Sequence, residues 1–276
     1  MKRVQRGFTL VELVVVLTLM AVVASLGATL VGRVVSGQQD NRGRLTLALA
    51  ADGAVARIAD ELQGALPNSL RVASSGGETW VEWVPVLDAG RYRTAPDTVA
   101  ATPGDPLDAD NPLDGSFEVI GSALATPPAS AQLVFGNLGT PDADAYAGNN
   151  RRGGLAVSGG GRSVAFTPAG AIGGLNVNQR FQVVGTPVTL ACRRSGSGFE
   201  LRRYSGYGWR AAQPASDAAL AGATATLVLG PLADCSAGYG TALANIGLLT
   251  LRLVLTDPDS NARLNFLHQV TVDNTP

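Results

Sequence analysis

Apolar residues dominate the chain from Phe8 to Val31, and the only charge among them is Glu12. No proline occurs between Phe8 and Leu66. Later in this stretch Val55, Ile58, Leu62 and Leu66 recur at helical spacing, with Arg57, Asp60 and Glu61 on other faces. The pattern predicts one helix over residues 8–66, about 90 Å long at ~1.5 Å per residue. Residues 8–32 are apolar enough to span a bilayer, which takes about 20 residues. Residues 33–66 form an amphipathic continuation, stopped by Pro67 and Asn68. Gly27, Gly32, Gly37 and Gly43 weaken its middle, each by about 1 kcal/mol relative to alanine.

Past Pro67 the helical period gives way to short alternating or apolar runs, which predict strands. They cover 79–86, 132–135, 163–166, 181–191, 199–204 and 223–229. Near the C-terminus Leu249, Leu251, Leu253 and Leu255 alternate with other residues. After a polar turn, Leu264, Phe266, His268, Val270 and Val272 share a face, which predicts a hairpin. Residues 88–115, rich in Pro and Asp, and 137–162, rich in Gly and Asn, read as surface loops of one head spanning residues 67–276. The expected architecture is α+β: a long N-terminal helix with a mainly antiparallel β head.

The chain has 276 residues, 46% hydrophobic and 16% charged, enough for a sizeable domain beyond the apolar segment. Residues 1–7 form a basic leader with Lys2, Arg3 and Arg6 that ends in Gly7. Without them 18 basic residues face 22 acidic ones, a balance that disfavours a general polyanion binder. The positive-inside tendency keeps the leader cytoplasmic and places the remainder across the inner membrane. That compartment is oxidising, so Cys192 and Cys235 are expected to form a disulfide; two separate buried thiols are the alternative. Two cysteines without a nearby histidine do not make a zinc set.

A secretory signal peptide has an apolar core of about 7–15 residues and a small-residue exit. Here the apolar run is longer and begins directly after Gly7. A plain anchor would leave Glu12 unexplained, since a carboxylate at the bilayer centre costs roughly 2.5–3.5 kcal/mol. The combination G-F-T-L-V-E after a basic leader resembles the class III signal of type IV pilins and pseudopilins. That resemblance implies the pilin fold and cleavage by prepilin peptidase between Gly7 and Phe8. It also implies N-methylation of Phe8, and a pair between Glu12 and the Phe8 ammonium of a neighbouring subunit. The partners implied are prepilin peptidase, major and minor pilins, an inner-membrane assembly platform and the lipid bilayer. The head would lie in the periplasm, and the chain would be incorporated into a pilus or pseudopilus.

Residues 56–72, ARIADELQGALPNSLRV, resemble the J-type pseudopilins of type II secretion. Several stretches, in common order, resemble the O component of the MSHA (mannose-sensitive haemagglutinin) pilus system. They are LPNSLRV (66–72), GRYR (90–93), GDPLD (104–108), SFEVIG (116–121), RYSGYG (203–208) and FLHQVTVDNTP (266–276). The implied function is that of a minor pilin of an MSHA-like type IV pilus. The alternatives are a J-type pseudopilin and, in a different class, a displayed adhesin or DNA-binding module.

Other candidates for chemistry are sparse. Asp105, Asp108, Asp110 and Asp114 carry the oxygen ligands calcium prefers, but their spacing is not that of an EF-hand, and Pro106 and Pro112 suggest turns. Residues 202–210, RRYSGYGWR, interleave Arg with Tyr and Trp, a combination that can hold single-stranded nucleic acid. On a net-acidic head the same composition reads more simply as strands packed by arginine stems, so nucleic acid is disfavoured as a partner. His268, the sole histidine, reads as a packing residue. Gly159–Gly161 lack the Lys-Ser/Thr of a phosphate loop. With no nucleophile–base pair and no cofactor motif, the expectation is a structural protein, not an enzyme, with no cofactor.

Overall fold

The computed structural model describes residues 9–99, 104–168, 170–172, 179–243, 245–257 and 263–275. The chain divides into two compact units. One comprises the chain up to Leu49 with Thr256–Leu264; the other, the head, comprises Ala50–Leu255 with Asn265–Pro276.

Helix α1 runs from Leu10 to Gln63, unbroken through the four glycines. Thr9 caps it: its Oγ1 accepts a bond from the Glu12 N–H at 3.3 Å, and its carbonyl accepts one from Leu13 N–H at 3.2 Å. Within the head the helix buries Ala51, Val55, Ile58 and Leu62, the stripe its spacing predicts. It ends three residues before Leu66, because the next residues pair as a strand. Leu66 N–H donates to Val84 O at 2.7 Å, and Val86 N–H donates to Gly64 O at 2.9 Å.

Among the described residues fourteen strands follow: β1 (Arg71–Ser75), β2 (Glu78–Trp83), β3 (Val86–Tyr92), β4 (Ser116–Ile120), β5 (Gln132–Phe135), β6 (Arg151–Arg152), β7 (Ala156–Ser158), β8 (Ser163–Ala165), β9 (Arg180–Val184), β10 (Val188–Ser195), β11 (Gly198–Ser205), β12 (Thr224–Leu243), β13 (Ile246–Thr256) and β14 (Arg263–Asp273). They form two seven-stranded, mainly antiparallel sheets, ordered β1-β2-β10-β11-β12-β13-β14 and β6-β5-β9-β3-β4-β8-β7. The α+β expectation therefore agrees with the structure.

The run 181–191, expected as one strand, is two strands in different sheets. Gly185 and Pro187 break it, and the neighbouring run 79–86 breaks at Pro85 between β2 and β3. The two crossings lie side by side, with Gly185 N–H donating to Pro85 O at 2.9 Å. The second sheet packs an aromatic cluster of Tyr92, Phe117, Phe135, Phe166 and Phe181. Phe117 and Phe181 meet edge to face, their centroids 4.9 Å apart.

The supposed surface loops are partly core. The first leads out of β3 and buries Leu107; the second contains β6 and β7 and buries Ala145, Tyr146, Asn150 and Arg152. Arg152 enters the interior with its two terminal nitrogens met by backbone carbonyls. The Arg152 guanidinium donates to the carbonyls of Asn149, Arg151, Gly170 and Ala171 at 2.9–3.1 Å.

Candidate functional site: the apolar helix and the polar cluster of the head

Leu10–Val31 is a 22-residue helical segment of mean hydropathy 2.5, long and apolar enough to cross a membrane. Its large side chains are exposed, Leu10 at 79% and Met20 at 65%. Apolar surface of this extent calls for lipid or other helices as its surroundings. The hydroxyls inside it are satisfied locally. Thr18, Ser25 and Thr29 donate to the carbonyls of Val15, Val22 and Leu26 at 2.8–2.9 Å, so no unmet donor opposes an apolar environment.

Glu12 stands in the first turn, where a carboxylate is favoured by the helix dipole. Thr9 and Glu12 have the spacing of a capping box. The hydroxyl half of that motif is formed, and its signal, Thr followed three residues later by Glu, is present in the sequence. Among the described residues no cation pairs with the Glu12 carboxylate. Gly7 and Phe8 lie outside the described residues.

In the head, Cys192 on β10 and Cys235 on β12 form a disulfide, with Cα atoms 5.5 Å apart and both residues buried. Both strands flank β11 in the first sheet, so the bond staples a three-strand segment.

The aspartates do not gather as a calcium site. Asp105 Oδ2 accepts from Ser116 Oγ at 2.6 Å, and Asp114 accepts from the Asp108 N–H at 2.6 Å and the Ser116 N–H at 3.3 Å. Their carboxylates serve loop turns, and among the described residues no group of three or more His, Cys, Asp or Glu side chains is placed to hold a metal.

The cations of the 202–210 segment are mostly engaged. Arg202 Nε bonds Glu200 at 2.6 Å, and Arg203 Nε bonds Glu61 on α1 at 2.8 Å. Tyr204 OH donates to Asp217 at 2.6 Å, and burial followed by that carboxylate pushes its pKa up to about 12. These bonds tie β11 to α1 and to the turn that carries Asp217, and residues 206–210 continue past the strand. His268 stacks on Phe266, with ring planes 16° apart.

The same segment closes a polar cluster that the sequence did not reveal. Glu82, fully buried on β2, receives Arg71 Nε at 2.5 Å and Tyr207 OH at 2.8 Å. Burial raises the Glu82 carboxyl pKa, against the pull of Arg71 and Tyr207. Arg71 also donates to the carbonyls of Ala211 and Arg210 and lies 3.6 Å from the ring centroid of Tyr146. Tyr146 meets Trp209 edge to face, and Arg151 covers Trp209 at 3.9 Å. This alternation of cation and ring joins β1, β2, β6 and the 206–213 strap. It ties these elements together.

Residues 2–28 match the family model of the prokaryotic N-terminal methylation motif. No curated protein and no solved structure matches the chain. The motif supports a type IV pilin-like protein and suggests a pilin or pseudopilin; it implies processing by prepilin peptidase and assembly with other pilins. Together with the N-terminal apolar helix it fits a membrane-anchored pilin with a structural role.

Proposed function

We propose that the chain is a minor pilin of an MSHA-like type IV pilus, with a pilin-like fold. Residues 1–7 are its leader, 8–32 its membrane and filament-core segment, 33–66 the continuation of the helix and 67–276 a periplasmic head. Prepilin peptidase cuts after Gly7, and Phe8 becomes the methylated N-terminus. In the filament, Glu12 pairs with the Phe8 ammonium of a neighbouring subunit. An unpaired charge in low dielectric is strongly disfavoured, so this pair sets the register of assembly.

The observation that carries the reading is the exposed apolar helix capped by Thr9, with Glu12 as the lone charge of its first 22 residues, inside the matched methylation motif. The O-type resemblances at 66–72, 90–93 and 266–276 support the pilus over the secretion system. The J-type resemblance at 56–72 favours a secretion pseudopilin as the second reading.

Quantitative mass spectrometry of sheared surface filaments against the inner-membrane fraction separates them. A minor pilin is expected in the filaments, starting at methylated Phe8 and far below the major subunit in amount. A chain that is processed but confined to the envelope, with surface pili intact after its deletion, would assign it to secretion.

A further inference from the structure

The first sheet ends in β14, a strand of 11 residues with β13 on one side and no strand on the other among the described residues. The remaining sheet edges are short: β1 has 5 residues, β6 has 2 and β7 has 3. The edge at β1 is also bound by the 206–213 strap, where Gln213 Nε2 donates to Arg71 O at 3.2 Å. A long edge is usually protected by a charge, a proline or a bulge, because its free main chain can pair with any strand that arrives. Between Arg263 and Asp273, β14 carries no acidic residue, no lysine or arginine and no proline.

The main chain of this edge can be oriented. Asn274 N–H donates to Asn245 O at 2.9 Å, on the β13 side. Gln269 Nε2 lies 3.4 Å from Thr250 Oγ1, the same number of positions along each strand, so the register is unbroken between the two contacts. Main-chain groups alternate in direction along an antiparallel strand, which turns the N–H and C=O of Asn265, Leu267, Gln269 and Thr271 away from β13. All four residues are exposed, and no protein group meets those main-chain atoms among the described residues. The apolar face of the strand is covered unevenly. Val270 and Val272 are buried, whereas Phe266 and His268 are only half-buried. On β13, by contrast, Leu249, Leu251, Leu253 and Leu255 are all buried. Leu267, on the other face of β14, is 65% exposed.

The edge thus offers alternating main-chain donors and acceptors and an apolar row that ends half-covered. An extended main chain meets both: its own N–H and C=O groups pair with the edge, and every second side chain falls on the apolar row. A helix has no main-chain groups to spare for such pairing. A charged strand would set its charges against an edge that carries none to answer them. We propose that the β14 edge from Asn265 to Thr271 docks an uncharged, extended segment of a neighbouring pilin-like subunit, which adds a strand to the first sheet and lays alternate apolar side chains over Phe266 and His268. The identity of the partner rests on the assembly reading above; the chemistry of the edge does not.

The test uses the full chain purified in detergent. A blocked, fluorescently labelled peptide alternating Val with Thr and Gln is titrated by anisotropy, beside the same sequence N-methylated at every amide. The first is expected to bind and the second not to bind, since methylation removes the main-chain donors and keeps the side chains. Leu267→Lys is expected to weaken the first peptide by about tenfold or more, because a charge then stands at the edge. Thr226→Lys, an exposed position on β12, leaves it unchanged. Leu267→Pro removes an outward N–H without touching the β13 ladder and is expected to abolish binding; if that variant does not fold, the N-methylated peptide decides the point on the parent protein. Equal affinity for the two peptides would overturn strand addition in favour of an apolar patch, as would an affinity indifferent to Leu267→Lys. In cells, a photo-crosslinking residue at Leu267 is expected to capture an extended, uncharged stretch of another pilin-like subunit. Peptide binding with no such capture, or with capture of a second copy of this chain, would overturn the partner and leave the filament result of the preceding section to stand or fall separately.

Discussion

At Glu12 and Glu82 the same side chain meets opposite circumstances. Glu12 sits in an apolar helix with its backbone N–H capped by Thr9 and no cation beside it among the described residues. Glu12→Ala is therefore expected to leave cleavage after Gly7 intact and reduce incorporation into filaments several-fold. Immunoblots of sheared and membrane fractions read this directly, and normal incorporation would remove the assembly role. Glu82 is buried with Arg71 and Tyr207, and burial raises its pKa. A raised carboxyl contributes stability that is fully present below its unfolded pKa, about 4.3, and is lost as pH rises through the folded value. Glu82→Gln removes that dependence. From pH 4 to pH 7 the parent protein is expected to lose stability relative to the Gln variant, read as diverging urea midpoints. Glu12 was legible because a charge in an apolar run stands out locally. Glu82 was not, because its partners come from β1 and the 206–213 strap.

Single elements were legible where one period rules the whole stretch. The helix, β5 and the β13–β14 hairpin follow from spacing alone. The errors arise where a breaker or a change of partner intervenes. Residues 181–191 are hydrophobic on both sides of Gly185–Pro187, and the apolar run hid the break. Strand β12 extends to Leu243, far beyond the expected 229, through a stretch rich in Gly and Ala that has little strand character of its own. It is held as a strand by β13, with partners from Leu232–Leu255 to Leu243–Ile246. The disulfide anchors the start of this stretch to β10. The sequence separation of 43 residues corresponds to ~4 kcal/mol on the chain-entropy model. The double variant Cys192→Ser/Cys235→Ser is expected to lose stability of that order, read by thermal melting, and to match the reduced parent protein. A melting temperature unaffected by either change would show that the bond contributes nothing to the fold.

Across the whole head, the end of the helix, the second sheet and the C-terminus are tied by three asparagines. Asn68, in the left-handed region at φ 57°, donates from Nδ2 to Asn137 O at 2.9 Å and to Asn274 O at 3.1 Å. Asn274 Oδ1 accepts from Asn68 N–H at 3.1 Å, and Asn137 Nδ2 donates to Pro67 O at 2.7 Å. Asn274 Nδ2 also donates to Tyr239 OH at 2.9 Å. Asn274→Ala is expected to cost about 1–3 kcal/mol, since it leaves part-buried groups without partners. An unchanged urea midpoint would show that water replaces those bonds. The two segments LPNSLRV and FLHQVTVDNTP, noted separately in the chain, meet at this junction.

The sequence by itself determined the apolar N-terminal helix, the processing signal ahead of it, the α+β class and the expectation that the two cysteines bond. Each is written in composition or in spacing over a few turns, where chain connectivity keeps the relevant residues together. The tertiary structure alone decided which strands enter which sheet, that Arg91 stands opposite Arg180, that Glu82 is buried with Arg71 and Tyr207 as its partners, and that the Arg152 terminal nitrogens reach four backbone carbonyls. Those outcomes depend on partners as far as 125 residues away, the separation of Tyr207 from Glu82. Local periodicity states which face of a strand is apolar, but not which strand lies beside it.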